Sequence, residues 1–336
     1  MYLAADSLDD LLIKVYKQIL SRGAAIRPSK GPAREISGVL LKLSAPRVRL
    51  SRSESRGLLF SCLGELLWIL AGTKRLDFIQ HYIPGYHEFS DDRKTVFGAY
   101  GPRLFGKSPN DQVHRVIKLL GEKRDSRQAV LQLFDRTDTL APHRDIPCTC
   151  TLQFLVRDGQ LHLLTSMRSN DAWLGLPHDV FTFTMLQELV ARSLGIKLGE
   201  YKHAVGSLHL YDEHHDKARR FLNEGWHTRR PMPPMPQGDP WSAVKGLLQF
   251  EKKVRTGRGA IPVPHDTMDA YWADLATLLA IHKAGLASDQ PEIKRLKRRI
   301  QDDVYSTYVK RRYKLAPEKD LLSFFDNTAA TTKEPQ

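Results

Sequence analysis

An α+β fold is predicted for this chain, on three observations. Thr151–Val156 and Gln160–Met167 are apolar runs on either side of Arg157-Asp158-Gly159, and the Asp-Gly step signals a hairpin. Asp179–Leu194 is apolar nearly all round, the pattern of a buried helix, with Gly195 placed to end it. Strands and helices mix without strict alternation, which favours α+β over a doubly wound sheet.

Taken in order, Met1–Leu20 carries Asp6, Asp9 and Asp10 among apolar residues and reads as an amphipathic helix, not a signal peptide. Its helical spacing runs over Asp6–Arg22, with Gly23 as a stop. Arg27–Arg34 is a Pro/Gly/Ser/basic loop, and Ile36–Leu43 and Val48–Leu50 look like strands. Ser53–Ala71 is a strongly apolar helix ended by Gly72. Its most apolar run, Gly57–Gly72, is interrupted by Glu65 and falls short of the ~20 residues a membrane span needs, so no membrane is expected. Gln128–Phe134 and Lys202–Leu210 read as strands, and Asp212–Leu222 as a polar surface helix. Arg229–Pro240 holds five prolines and reads as a semi-rigid connector. Met268–Lys283 and Pro291–Tyr313 have helical periodicity, and Thr328–Gln336 looks like a frayed tail. The expected organisation is a first domain over 1–228, a connector over 229–240 and a helical extension over 241–336.

A chain of 336 residues buries a large core without disulfide staples. Its three cysteines form no framework, which points to a reducing, cytoplasmic setting. The formal charge of +13 invites a nucleic-acid partner, but Gln290–Lys314 alone holds nine Lys/Arg against three acidic residues. A solvated helix face accounts for that block, and nucleic acid is not the expected partner.

The chemistry concentrates in Asp145–Cys150, Arg168-Ser-Asn-Asp171 and Leu174-Gly-Leu-Pro-His-Asp179. A cysteine just before a strand, an arginine that can fork onto phosphate and a later carboxylate suggest covalent chemistry on a nucleotide. The thiolate is the nucleophile, so Cys148 needs nearby positive charge; Arg144 precedes it by four residues, and the hairpin brings Arg168 close. Cys150 shares the strand face of Cys148 if the strand starts early and reads as packing; a lone Cys-x-Cys implies no metal. Glu65 on an apolar helix is costly unless used or paired. His209 and Tyr211 lie on one face of their strand. Asp179 has two readings, as a helix N-cap or as a base-reading carboxyl.

These segments resemble the thymidylate synthase superfamily from about Asp9 to Leu222, most densely over Asp125–His214. The resemblance implies a single α+β catalytic domain whose large sheet packs against its twin in a homodimer, with the helices after Arg229 as an extension. It implies a pyrimidine nucleoside monophosphate as substrate and 5,10-methylenetetrahydrofolate as one-carbon donor. Cys148 becomes the nucleophile at C6, Glu65 the water organiser and Tyr100 the active-site tyrosine. Arg27, Arg168 and Ser169 become phosphate ligands, with Arg127 supplied by the partner subunit and Gln128 where the synthases have a second arginine. His209 and Tyr211 take the sugar 3′-hydroxyl, and Asp171, Tyr86, Phe89 and Gly175 the folate.

Asp179 stands where the synthases have asparagine, and aspartate there marks the cytidylate 5-hydroxymethylase branch. Cytosine presents an acceptor at N3 and a donor at N4, and a protonated carboxyl answers both. Thr149 replaces the histidine after the family's cysteine, Tyr86 and Phe89 replace two folate-flanking tryptophans, and Lys333-Glu-Pro-Gln336 is unlike the family's closing tail. Together these imply water addition in place of reduction, giving hydroxymethyl. Length and extension look more like CMP hydroxymethylases of antibiotic biosynthesis than shorter phage dCMP enzymes. The alternatives are a divergent synthase acting on a uracil nucleotide and a nucleic-acid-binding protein with a decayed site.

Overall fold

The computed structural model describes residues 1–52, 58–106, 111–225, 227–264 and 268–314, with side chains to residue 310. The Thr328–Gln336 tail lies outside them. The elements are β1 (Tyr2–Ala5), α1 (Leu8–Arg22), β2 (Ala24–Ile26), β3 (Ala33–Leu43), α2 (Leu59–Leu70), α3 (Leu76–Gln80), α4 (Tyr100–Leu104) and α5 (Gln112–Glu122). They continue as β4 (Val130–Gln132), β5 (Thr149–Arg157), β6 (Gln160–Asp171), α6 (Gly175–Ser193), β7 (Lys197–Tyr211) and α7 (His215–Asn223). The last four are α8 (Trp241–Thr256), α9 (Ala270–Leu286), α10 (Gln290–Lys297) and α11 (Ser306–Lys314). Among the described residues no helix is long and apolar enough to cross a membrane.

The strands form one mixed seven-stranded sheet in the order β1-β3-β7-β6-β5-β4, with β2 beside β3. The β5–β6 hairpin turns as its sequence requires. Asp158 and Gly159 both take positive φ, 51° and 69°, the twist that matches the flanking strands. Both β1–β3 and β6–β7 are parallel, and the other pairings are antiparallel. One sheet face lies under α1 and α6; α2 packs on α6, and α9 packs on α2. The opposite face carries half-exposed Leu40, Leu155, Leu164 and Ala204, and exposed Val130.

Several boundaries differ from the sequence reading for identifiable reasons. The first residues are a strand, because Tyr2–Ala5 pairs with Leu40–Leu43 before Ser7 caps α1 by accepting from Asp10 N (3.1 Å). Val48–Leu50 is no strand: Val48 N turns back to Ala45 O (2.8 Å), and Val48 O accepts from Leu8 N (3.0 Å). Only Val130–Gln132 of the Gln128–Phe134 run joins the sheet. The Pro291–Tyr313 pattern is broken, since the Asp274 carboxylate captures the N–H groups of Gln301 (2.8 Å) and Asp302 (2.9 Å). Its exposed Lys294, Arg295, Lys297, Arg298 and Arg299 surround buried Ile293 and Leu296, a solvated helix face.

The helices after the prolines join the same core. Trp272, Leu275, Leu278, Leu279 and Ile281 of α9 are buried with α2 and α6. Tyr82 donates to Glu251 of α8 (3.0 Å), and Tyr308 to Ser51 O (2.5 Å). The connector is tied down at Met232, whose N donates to Arg47 O (2.8 Å), and at Met235, whose N donates to Glu188 Oε1 (3.0 Å). The other oxygen of Glu188 pairs with Arg49 deep inside the protein.

Candidate active site

The ends of β5, β6 and β7 meet the first turns of α6 beside the middle of α2. Thr149 is paired with Met167, and Asp171 with His209, so residue 148 and residues 168–171 and 209–211 are brought to one sheet end. Arg168 frames the cysteine loop: its backbone N donates to Cys148 O (2.9 Å), its Nε to Pro147 O (3.0 Å) and its Nη2 to Ile146 O (2.8 Å). The guanidinium thus orders the loop that carries the thiol. A bulge between Thr149 and Thr151 interrupts the strand alternation. The strand starts at Thr149, after Cys148, so the condition for Cys148 and Cys150 to share a strand face is not met.

Asp179 lies inside α6, not at its start. The N-cap is Leu174, without a side-chain bond, so the helix-cap reading of Asp179 is overturned. Its Oδ2 accepts from Asn170 Nδ2 (2.8 Å). Gly175 makes that approach possible, because a Cβ there would lie 2.9 Å from Asn170 Nδ2. Beside Asp179, His178 spans Leu174 O (2.8 Å) and Ser61 Oγ (3.0 Å), joining α6 to α2.

The electrostatics follow from enclosure. Burial, then the charges of Asp179 and Asp145, pushes Glu65 up to about 8, although Tyr86 donates a 3.5 Å hydrogen bond to it. Burial raises Asp179 to about 7, Asn170 opposing and Asp171 adding to the rise. Glu65 and Asp179 are both half-buried. Burial also pushes the Cys148 thiol up to about 11; Arg168 and Lys30 oppose the rise, and Asp145 and Asp179 add to it. The positive charge expected beside Cys148 is present in Arg168, but the expected lowering of the thiol does not follow, because desolvation and two carboxyls outweigh the cations. Arg144 is not among the groups acting on Cys148; it is exposed, and its N donates to Asp91 (2.9 Å). Tyr100 lies next to Cys148, its hydroxyl accepting from Thr149 N (3.2 Å). Burial raises Tyr211 to about 12, with Asp171 and Cys148 contributing.

Cys148, Glu65, Tyr86, Tyr100, Arg168, Asp171, Asp179 and Tyr211 therefore share one cluster. His209 packs edge-on against Tyr211 (5.0 Å between centroids), Ser169 is aligned with Ser207 of β7, and Asp171 holds Trp173 N (2.8 Å). Phe89 packs tilted against Tyr86 (5.2 Å between centroids, 59° between planes), with Lys30 Nζ 3.9 Å above the Phe89 ring. Arg27 is exposed on its loop. Arg127 is not brought in: it is exposed, and its carbonyl accepts from Gln153 (3.0 Å) on the open sheet face. Concavities of about 390 Å³ beside Asp239 and Trp272 and about 550 Å³ beside Asp10 and Lys14 lie away from this cluster.

A family model described as thymidylate synthase matches residues 51–237, the stretch holding Glu65, Cys148, Arg168, Asp179 and His209. The chain belongs to the thymidylate synthase family. Two curated relatives are both named deoxyuridylate hydroxymethyltransferase. That of Pseudomonas phage M6 is 34% identical over 157 residues, 46% of this chain and 45% of the relative. That of Delftia phage PhiW-14 is 26% identical over 229 residues, 64% of this chain and 63% of the relative. The chain thus aligns with less than two thirds of either. Helices α8 to α11 fall beyond the family match but belong to the same core.

Lys30, Asp145, Asn170, His203 and Tyr201 were not singled out by sequence as site residues. Asn170 lies inside the best motif, and Tyr201 and His203 are two apart on one strand face, a spacing that pairs them. Nothing in the loop sequence marked Lys30.

Proposed function

We propose that this protein is a pyrimidine nucleotide 5-hydroxymethyltransferase acting on cytidylate, CMP ahead of dCMP. The carrying observation is the Asp179 carboxyl, raised to about 7 and set beside Cys148. In its protonated form it donates to N3 of cytosine and accepts from N4. That proton also removes a negative charge that favours the Cys148 thiol, so base recognition promotes the thiolate. Sγ then adds to C6, and the electron pair released toward C5 makes that carbon nucleophilic. 5,10-Methylenetetrahydrofolate, when bound, supplies an electrophilic one-carbon unit; Tyr86 and Phe89 offer aromatic faces to a flat ring system, and Asp171 and Gly175 lie nearby. Glu65, raised to about 8, holds a proton at neutral pH and positions water for the exocyclic methylene. The C5–methylene bond forms as the one-carbon unit parts from tetrahydrofolate and C5 gives up its proton; water adds to the methylene, and the electron pair returned through C5 expels Sγ from C6 as thiolate, restoring the C5–C6 double bond. Arg27, Arg168 and Ser169 take the phosphate, and His209 and Tyr211 the sugar. The half-apolar open sheet face suits a second copy, which would present Arg127 to its neighbour's phosphate.

Uridylate is the second reading, favoured by the names of both phage relatives. Mass spectrometry of CMP, dCMP, UMP and dUMP after incubation with methylenetetrahydrofolate tests the proposal. A CH2O gain, largest on CMP, is expected. A methyl product with dihydrofolate would replace it with synthase chemistry, and salt-sensitive RNA binding without turnover would favour the nucleic-acid alternative.

A further inference from the structure

A carboxylic acid is an ambiguous base reader. With the proton on one oxygen it answers cytosine, and with the proton on the other it answers uracil. Asparagine and glutamine have fixed donor and acceptor ends, but a protonated aspartate reverses by moving one hydrogen. Selectivity therefore requires something that makes the two oxygens of Asp179 unequal.

A buried chain of side chains supplies that inequality. Asn170 Nδ2 donates to Asp179 Oδ2 (2.8 Å), and Asn170 Oδ1 is 2.9 Å from His203 Nε2. His203 Nδ1 in turn is 2.7 Å from the Tyr201 hydroxyl. His203 is fully buried and stays neutral at physiological pH, since burial lowers it to about 3, so its ring carries one proton. With the Tyr201 hydroxyl donating to Nδ1, that proton sits on Nε2 and points at Asn170 Oδ1. The amide is then oriented with its NH2 toward Asp179. Oδ2 can only accept, and the carboxyl proton is confined to Oδ1. A turned amide would place its oxygen against Oδ2 and draw the proton there.

We infer that Tyr201, His203 and Asn170 are positioning residues that fix which oxygen of Asp179 carries the proton, and so decide which pyrimidine is read. The direction toward cytosine rests on the proposed function; the existence of a fixed polarity does not. None of the three is assigned the reacting atoms.

The test is the ratio of kcat/KM between CMP and UMP for the purified wild-type protein and four variants. Asn170→Leu and His203→Leu remove the polarity and should move discrimination toward parity by about tenfold, the worth of one buried hydrogen bond. His203→Gln, which keeps a donor near the place of Nε2, should hold the ratio within about threefold of wild type, a small fraction of that bond. Tyr201→Phe removes one hydroxyl while keeping the buried ring and should shift the ratio in the same direction as the leucine variants, which keeps the test open if those do not fold. Equal losses on both nucleotides, leaving the ratio unchanged in all folded variants, would make the chain purely structural and overturn the inference. A wild type that prefers UMP, with discrimination still lost in the variants, would overturn the cytidylate reading alone.

Discussion

Removing Glu188 should destabilise the protein far more than an ordinary surface carboxylate would. The side chains of Arg49 and Glu188 are 0% and 2% exposed, so neither charge has water to fall back on. Arg49 Nε and Nη1 have no partner among the described residues, which leaves Glu188 as its main compensation. Glu188→Ala strands the guanidinium, at a cost of about 3–5 kcal/mol. It also frees Met235 N, whose loss of an acceptor adds about 1–3 kcal/mol. Arg192, 3.9 Å from Glu188, becomes a second uncompensated cation. A total of about 4–8 kcal/mol is a large fraction of the roughly 5–15 kcal/mol typical of folded domains. The melting temperature should fall by roughly 10 °C. Urea unfolding of wild type, Glu188→Ala, Arg49→Met and the Arg49→Met/Glu188→Ala pair closes the cycle. The double variant should recover most of the loss, because both charges leave the interior together. A loss below about 1 kcal/mol for Glu188→Ala, well under what stranding a buried charge should cost, would refute the reasoning, as would a double variant no better than the single.

Stability should also depend on pH through the candidate site. Glu65 and Asp179 sit above their ordinary carboxyl values, so the folded protein keeps protons that the unfolded chain releases. Their contribution is complete below the ordinary carboxyl range and is lost as pH rises through about 7 for Asp179 and about 8 for Glu65. Unfolding free energy measured from pH 5 to pH 8 should therefore fall, and Glu65→Gln should flatten the curve; a slope unchanged by that variant would contradict it. Asp145→Asn should lower the Cys148 thiol toward neutrality and speed its alkylation by iodoacetamide at pH 8, and an unaltered rate would mean Asp145 exerts no field there. Mixing inactive Cys148→Ala with inactive Arg127→Glu should restore activity through one intact site per mixed dimer. Heterodimers that form and stay inactive would remove Arg127 from the phosphate site.

Much of the fold was legible because local chemistry and final structure agree. The Asp158-Gly159 turn, the all-round apolarity of α6 and the spacing of α1 each have one good solution. Val48–Leu50 misled because β-propensity is silent about where backbone hydrogen bonds go, and α1 and a neighbouring turn claim them. The break after α10 was hidden for the same kind of reason: Asp274, far away in sequence, takes the donors. Within the site, Cys148, Arg168 and Asp179 could be read from motifs. The protonated state of Cys148 could not, since it depends on how completely α2, α6 and the cysteine loop exclude water. Asp179 looked like a helix cap because the apolar run begins after it, whereas Gly175-Leu-Pro-His178 already forms the first turn.

The shared core sets a schedule for the ribosome. Every residue matched by the family model is synthesised before α9, yet the surfaces of α2 and α6 that α9 covers stay bare until about residue 286 has left the exit tunnel. At 5–20 residues per second, that interval lasts roughly several seconds. During it the nascent chain holds a nearly complete sheet with an uncovered oily flank, the condition that recruits chaperones and invites aggregation. Messages interrupted within the proline-rich segment would yield a chain that contains every proposed catalytic residue but lacks the helix that covers α2.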